Sequence, residues 1–250
     1  MNKLLLFIAV LALCSSCATK KQIIYFQDAP DLESITDSQV FEPIVEENDV
    51  LYISVSSMDP VVVAPFTRML TQSNNANQNP LLQGYLVNSE GKIQFPVLGD
   101  ISVVGKTRME IEALLKADLS NYVKDVVVDV RIMNFKVTVI GEVNNPGVYR
   151  IQDERVTLPQ AIGRAGDLSE DGNRTEVLVL REENGKQVVG RIDFTQTDFF
   201  ESPFYFLKQN DVVYVQPSLK GVKKSGFIPD IPALLSLFTV VLSTVIILTR

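Results

Sequence analysis

The chain contains no histidine among its 250 residues, and its two cysteines, Cys14 and Cys17, both lie at the extreme N-terminus. Without histidine it has neither the commonest general base nor the commonest metal ligand. With no cysteine after position 17, the body of the chain can build no disulfide framework. Glycine-rich phosphate loops, nucleophile elbows and Cys/His clusters are missing as well. The carboxylate pairs Glu46-Glu47 and Glu182-Glu183 sit beside turn residues, where solvated charge is the ordinary reading. The sequence is therefore read as a non-enzyme that needs no cofactor and no metal. Basic residues are absent from one long stretch: no lysine or arginine falls between Lys21 and Arg68, while Asp28, Asp31, Glu33, Asp37, Glu42, Glu46, Glu47, Asp49 and Asp59 accumulate. With a formal net charge of −7, that balance excludes nucleic acid as a partner.

Two uncharged runs mark the ends of the chain. The first, Leu4 to Cys17, has about ten apolar residues followed by Ser15, Ser16 and Cys17, the layout of a secretory signal too short to span a bilayer. The order apolar, small, small, cysteine is similar to the lipobox of bacterial lipoproteins. Residues 1–16 are thus expected to be removed as a lipoprotein signal peptide, with lipid on Cys17. Cys14 fits less well because bulky Leu13 precedes it, and a plain signal peptide with incidental cysteines is the alternative. The second run, residues 231–249, would measure about 28 Å as a helix at ~1.5 Å per residue, close to the ~30 Å hydrocarbon core. It predicts a C-terminal membrane-spanning helix. Ser236, Thr239 and Ser243 share one face of it and form a candidate pore-facing stripe. The alternative is a plain anchor whose hydroxyls bond their own backbone carbonyls.

Between these ends the periodicity predicts two small α+β units split near Phe135. Residues 17–43 read as a lipidated tether with one apolar patch, Ile23-Ile24-Tyr25-Phe26, and residues 218–230 as a basic linker. The first unit, 44–134, opens with Asn48-Asp49 before the alternating strand Val50-Leu51-Tyr52-Ile53. Thr71 to Pro80 is polar and reads as a surface loop. Gly84 to Val87 and Lys92 to Phe95 flank Asn88-Ser89-Glu90-Gly91, a hairpin signal. Thr107 and Glu110 make a capping box ahead of a helix whose apolar face is Ile111, Leu114, Leu115 and Leu119. The second unit, 135–217, repeats the grammar. A strand ending at Gly141-Glu142 turns through Asn144-Asn145-Pro146-Gly147, and Thr157 with Gln160 caps a second helix that stops at Gly166. A strand pair turning on Asn184-Gly185 follows. Asn210-Asp211-Val212 then echoes Asn48-Asp49-Val50.

Taken in order, these signatures resemble the polysaccharide biosynthesis/export family, the Wza-like outer-membrane lipoproteins that translocate capsule and exopolysaccharide. Asp49, Gly84, Gly91, Pro96, Gly99 and Gly105 stand at positions of the export-domain pattern. Gly141, Glu142, Pro146, Gly147 and Gly166 stand at positions of the β-grasp-like SLBB module that follows it. By their chemistry these are mostly turn formers that shape loops. The resemblance implies an export domain followed by one SLBB domain. It further implies a homo-oligomeric ring, commonly an octamer, that exports polysaccharide from the periplasm through the outer membrane, anchored by lipid and gated by an inner-membrane chain-length regulator or tyrosine kinase. Two other readings stay open: a monomeric lipoprotein that binds a saccharide or peptidoglycan for sensing, and an inner-membrane accessory held at both ends.

Overall fold

A computed structural model describes residues 24–29, 41–67, 83–153, 155–183, 185–219 and, near the C-terminus, 235–236, 238–240, 242–244 and 247. The signal segment with Cys17, most of the tether, the loop from Thr71 to Pro80, Asn184, and nearly all of the basic linker lie outside the described residues.

In the first unit β1 (Val50–Ser56) runs between β2 (Tyr85–Leu86) and β5 (Val127–Ile132), antiparallel to both. Its β-branched alternation sends Leu51, Ile53 and Val55 inward, as the half-buried strand pattern requires. The short helix α1 (Pro60–Val63) starts on the Asp59 side chain, which accepts from the Val61 N–H. The strands β3 (Lys92–Phe95) and β4 (Gly99–Ser102) form a separate hairpin. Asn88 and Gly91 do turn the chain between β2 and β3, through Asn88 N–H to Lys92 O at 2.9 Å and Gly91 N–H to Asn88 O at 2.9 Å. The ladder of β2, however, is made with β1, because the turn hands Tyr85 to a core shared with Phe95 rather than to a two-stranded ribbon. Helix α2 (Arg108–Leu119) has both halves of its capping box formed, and Ile111, Leu115 and Leu119 are fully buried.

The second unit is a five-stranded mixed sheet in the order β10-β9-β12-β6-β7, built from β6 (Lys136–Gly141), β7 (Gly147–Arg150), β9 (Gly172–Glu183), β10 (Lys186–Ile192) and β12 (Val212–Pro217). Only the β12–β6 pair is parallel. A small antiparallel pair, β8 (Val156–Thr157) with β11 (Phe206–Leu207), flanks helix α3 (Leu158–Arg164). Thr157 and Gln160 close the second capping box. Val137, Val139, Val177, Val179, Val213 and Val215 line the inner face of the sheet, against Leu158, Ala161 and Leu207. The first core ends at Val130 and the second begins at Phe135.

Two expectations are corrected. Among the described residues no helix is long and apolar enough to cross a membrane, which overturns the membrane-spanning helix expected over 231–249. Spanning takes about 20 consecutive helical residues, and apolar length in a sequence does not itself supply that unbroken backbone ladder. Likewise, the apolar patch near the start of the tether, which the sequence leads one to expect extended, is not: Ile24–Ala29 bends and docks on the second unit, since Tyr25 and Phe26 find aromatic partners there.

Candidate functional site

The two Asn-Asp turns are built alike. Asn48 and Asn210 both take a left-handed backbone, φ 65° and 62°, which asparagine tolerates better than most residues. Each turn then buries its aspartate, Asp49 and Asp211, to 1% exposure. Asp49 accepts the Glu46 N–H at 2.9 Å, and Asp211 accepts the Lys208 N–H at 2.8 Å. The second partner differs. Asp211 receives the fork of Arg181, whereas Asp49 receives the side-chain amide of Gln209 at 3.2 Å.

That difference places Gln209 at the seam between the units. Its Nε2 also donates to Asn134 O at 3.1 Å, and its Oε1 accepts the Lys136 N–H at 2.8 Å. Asn134, between the two cores, returns the grip on the first unit: its Nδ2 donates to Asn48 O at 3.0 Å and its Oδ1 accepts the Val50 N–H at 2.9 Å. Two neutral side chains thus join the opening turn of β1 to the turn before β12. Burial pushes the Asp49 carboxyl above the ordinary aspartate range, against the pull of the Glu46 N–H and the Gln209 amide. Burial and then the neighbouring Asp49 push Glu46 up in the same way. Burial also pushes Asp211 up, while Arg181 draws it back. Glu183 moves the other way, held down by its hydrogen bond to Lys208 at 2.7 Å.

The N-terminal arm is the second assembly. Phe26 N–H and Gln27 N–H donate to Phe194 O and Thr195 O at 3.1 and 2.8 Å, so the arm joins the second unit through its backbone. Tyr25 donates its hydroxyl to Asp167 Oδ1 at 2.5 Å, and Asp28 accepts both the N–H and the hydroxyl of Thr197. Phe26 stacks on Phe199 and Phe200, while the Arg174 guanidinium lies 5.4 Å from the Tyr25 ring centre. Further on, Phe41 stacks on Phe206 at 4.9 Å.

A third feature is the outer face of the five-stranded sheet. Register brings Val148, Thr138, Val212, Leu180 and Val189 into one row across all five strands, with Ile140, Tyr214 and Leu178 in the next. Val148, Val189 and Ile140 are 62%, 48% and 41% exposed, and the rest are half-buried. Contiguous exposed apolar surface marks interaction sites.

The motif positions sit in loops and at strand ends. Gly91, Gly99, Gly105, Gly141 and Gly166 have positive φ. At Gly141 the approach is closest, since a Cβ there would lie 2.1 Å from Val215 O. Gly84 packs against Val50 and Leu51. Pro96 lies in the β3–β4 turn, where Leu98 N–H donates to Pro96 O. Glu142 accepts the Ser169 hydroxyl at 2.7 Å, and Gly147 begins β7 just after Pro146. Asp49 is the motif residue that the structure brings into contact with the other unit. The hydroxyls of Thr239 and Ser243 bond Ser236 O and Thr239 O, three and four residues back on the chain. Sequence reasoning missed Asn134, Gln209 and the arm's partners, which are single polar or aromatic residues with no local pattern. Arg181 was reachable, because it continues the inward alternation of Val177 and Val179.

The chain is thus one α+β unit followed by a second built on a five-stranded mixed sheet. The sequence pattern of polysaccharide biosynthesis/export proteins matches residues 38–133, and that of the SLBB domain matches residues 135–215. The chain belongs to the polysaccharide export family and carries its export domain ahead of an SLBB domain. It is similar to the EPS I polysaccharide export outer membrane protein EpsA of Ralstonia solanacearum, 33% identical over 142 residues that make up 55% of this chain and 37% of that protein. The protein of the same name from Ralstonia nicotianae is 33% identical over 141 residues, 55% of this chain and 36% of its own. The match spans a little over a third of the length of these curated relatives.

Proposed function

We propose that this chain is the subunit of a homo-oligomeric ring at the outer membrane through which finished capsular or exopolysaccharide leaves the periplasm, eight subunits being the number its family resemblance implies. The observation that carries the reading is the continuous match of residues 38–215 to the two family domains, in order, in a chain whose relatives are named as polysaccharide export outer membrane proteins. A passage for a hydrated polymer works by enclosure and needs no bond-making residue. The exposed apolar row from Val148 to Val189 supports self-association, since each subunit of a ring needs a face for its neighbour. Lipid on Cys17 would tether the arm, and the seven residues from there to Ile24 reach at most about 25 Å extended. Docking of the arm then holds the SLBB domain near the lipid-bearing leaflet, with both domains in the periplasm. An inner-membrane chain-length regulator or tyrosine kinase is the partner that delivers the polymer.

Deletion of the gene is expected to abolish surface polysaccharide, and the protein in mild detergent is expected to run as a ring by native mass spectrometry. A monomer in a strain with normal surface polysaccharide rejects the reading and favours a binding lipoprotein. Density-gradient fractionation is expected to recover the protein with outer membranes; recovery with inner membranes makes it an accessory of assembly instead.

A further inference from the structure

The five-stranded sheet of the SLBB domain ends on two edges, β7 and β10. The alternation of its ladder bonds decides which backbone groups they offer. Ile151 N–H donates to Phe135 O at 2.8 Å, so Val137 bonds Tyr149 and Val139 bonds Gly147, and the backbone groups of Val148 and Arg150 point off the sheet. On the other side, Thr138 N–H donates to Asp211 O and Glu142 N–H to Val215 O, which turns Val212 and Tyr214 toward β9. Val179 and Arg181 then face β10, and Gln187, Val189 and Arg191 turn their backbone groups outward. Among the described residues nothing bonds these outward groups, since the arm's backbone bonds fall on Phe194 O and Thr195 O, past the end of β10. An unpaired edge is a template for another strand.

The two edges match in direction and in charge. β7 is antiparallel to β6, whereas β10 is parallel to it, being two antiparallel steps from β12. Copies turned about an axis along the strands therefore bring β7 of one beside β10 of the next in antiparallel sense, a head-to-tail contact that repeats around a ring. One row along from Val148 on the same outer face, exposed Lys136 and Arg150 lie side by side, and neither side chain has an ion pair among the described residues. In that row at the β10 edge stand exposed Glu182 and Gln187, joined at 3.4 Å. Setting Val148 against Val189 puts Arg150 against Gln187 and next to Glu182. A slip of two residues sets Val148 against Arg191 or carries Arg150 past the strand to Gly185, and either loses the match.

We propose that β7 of one copy pairs antiparallel with β10 of the next, Val148 opposite Val189, so that the SLBB sheets join into one belt. The pairing rests on the homo-oligomer proposed above and names its contact. Within one chain Val148 and Val189 stand four strand spacings apart, about 19 Å at ~4.8 Å each and far beyond the ~7 Å reach of a disulfide. Full-length protein carrying Val148→Cys with Val189→Cys, oxidised in mild detergent, is therefore expected to give a reducible ladder of cross-linked copies. Either single variant, sharing Cys14 and Cys17 with the wild type, is expected to give none. Arg150→Glu is expected to lower the oligomer mass in native mass spectrometry, and adding Glu182→Arg to restore it, a rescue that residues three strands apart cannot make within one sheet. A ring that persists without the double-cysteine ladder overturns the edge pairing and leaves the ring standing. A wild-type monomer overturns both. A dimer from Val189→Cys alone pairs β10 with its own copy and overturns the pairing with β7, as does an Arg150→Glu ring of unchanged mass.

Discussion

Arg181 sets two guanidinium nitrogens on Asp211, Nε at 3.0 Å from Oδ1 and Nη2 at 2.7 Å from Oδ2, with both side chains at most 3% exposed. The same guanidinium donates to Pro203 O and Phe206 O and lies 4.8 Å from the Phe204 ring centre. One side chain thus ties β9, the segment before β11 and the turn before β12 together. Arg181→Met should leave Asp211 buried and unpaired and cost about 3–5 kcal/mol by urea unfolding. Adding Asp211→Asn to it should recover part of that loss. Arg181→Lys should not restore the wild type, because an ammonium cannot reproduce the planar fork.

Tyr25→Phe removes the hydroxyl that donates to Asp167. The arm should loosen by about 0.5–1.5 kcal/mol, read as faster proteolysis near residues 24–29 with little change in global unfolding. Burial, followed by the bond to Asp167, pushes the Tyr25 phenol well above the tyrosine range. Its contribution is full below the ordinary value near pH ~10 and is lost as pH rises beyond it. Alkaline release of the arm should therefore be visible in the wild type and absent from Tyr25→Phe.

Gly141 and Gly99 have similar backbones, φ 90° and 80°, but different surroundings. Gly141→Ala puts a methyl on Val215 O in the adjoining parallel strand, whereas Gly99→Ala meets nothing within 4 Å. The first should cost more than about 3 kcal/mol; the second should cost about 1–2 kcal/mol from the left-handed backbone alone. Thermal midpoints of the two variants decide it.

The helices of both domains were legible because their signals are local. Thr107 and Thr157 each carry the capping partner three residues on, and the stripe from Ile111 to Leu119 names its buried face. The echo of Asn48-Asp49 in Asn210-Asp211 was legible too, and it marked the turns that meet at the seam. What the seam does with them was not, since Gln209 reaches Asp49 across 160 residues and an isolated glutamine carries no periodicity. Tyr25 and Asp167 are 142 residues apart for the same reason out of reach. Residues 231–249 misled the reading in the opposite direction: their apolar length predicts a spanning helix, and among the described residues no helix is long and apolar enough to cross a membrane.

Val148→Glu and Val189→Glu probe the outer face of the SLBB sheet, where both side chains are largely exposed. Each variant should unfold within about 0.5 kcal/mol of the wild type, yet lower the oligomer mass in mild detergent. An unchanged mass with both substitutions combined would assign the subunit contact to another surface.

The arm from Ile24 to Ala29 is made first in the chain, yet it packs on Phe194, Thr195 and Thr197. The export domain is in effect an insertion between the first and later parts of the SLBB domain. For a chain emerging N-terminus first, the export domain has all its core residues available once residue 130 is free, while the arm waits for the segment around 194–200. Closure over so long a separation is entropically slow. Docking of the arm is thereby a late event, a molecular sign that synthesis has passed through both domains before the N-terminal arm is drawn in.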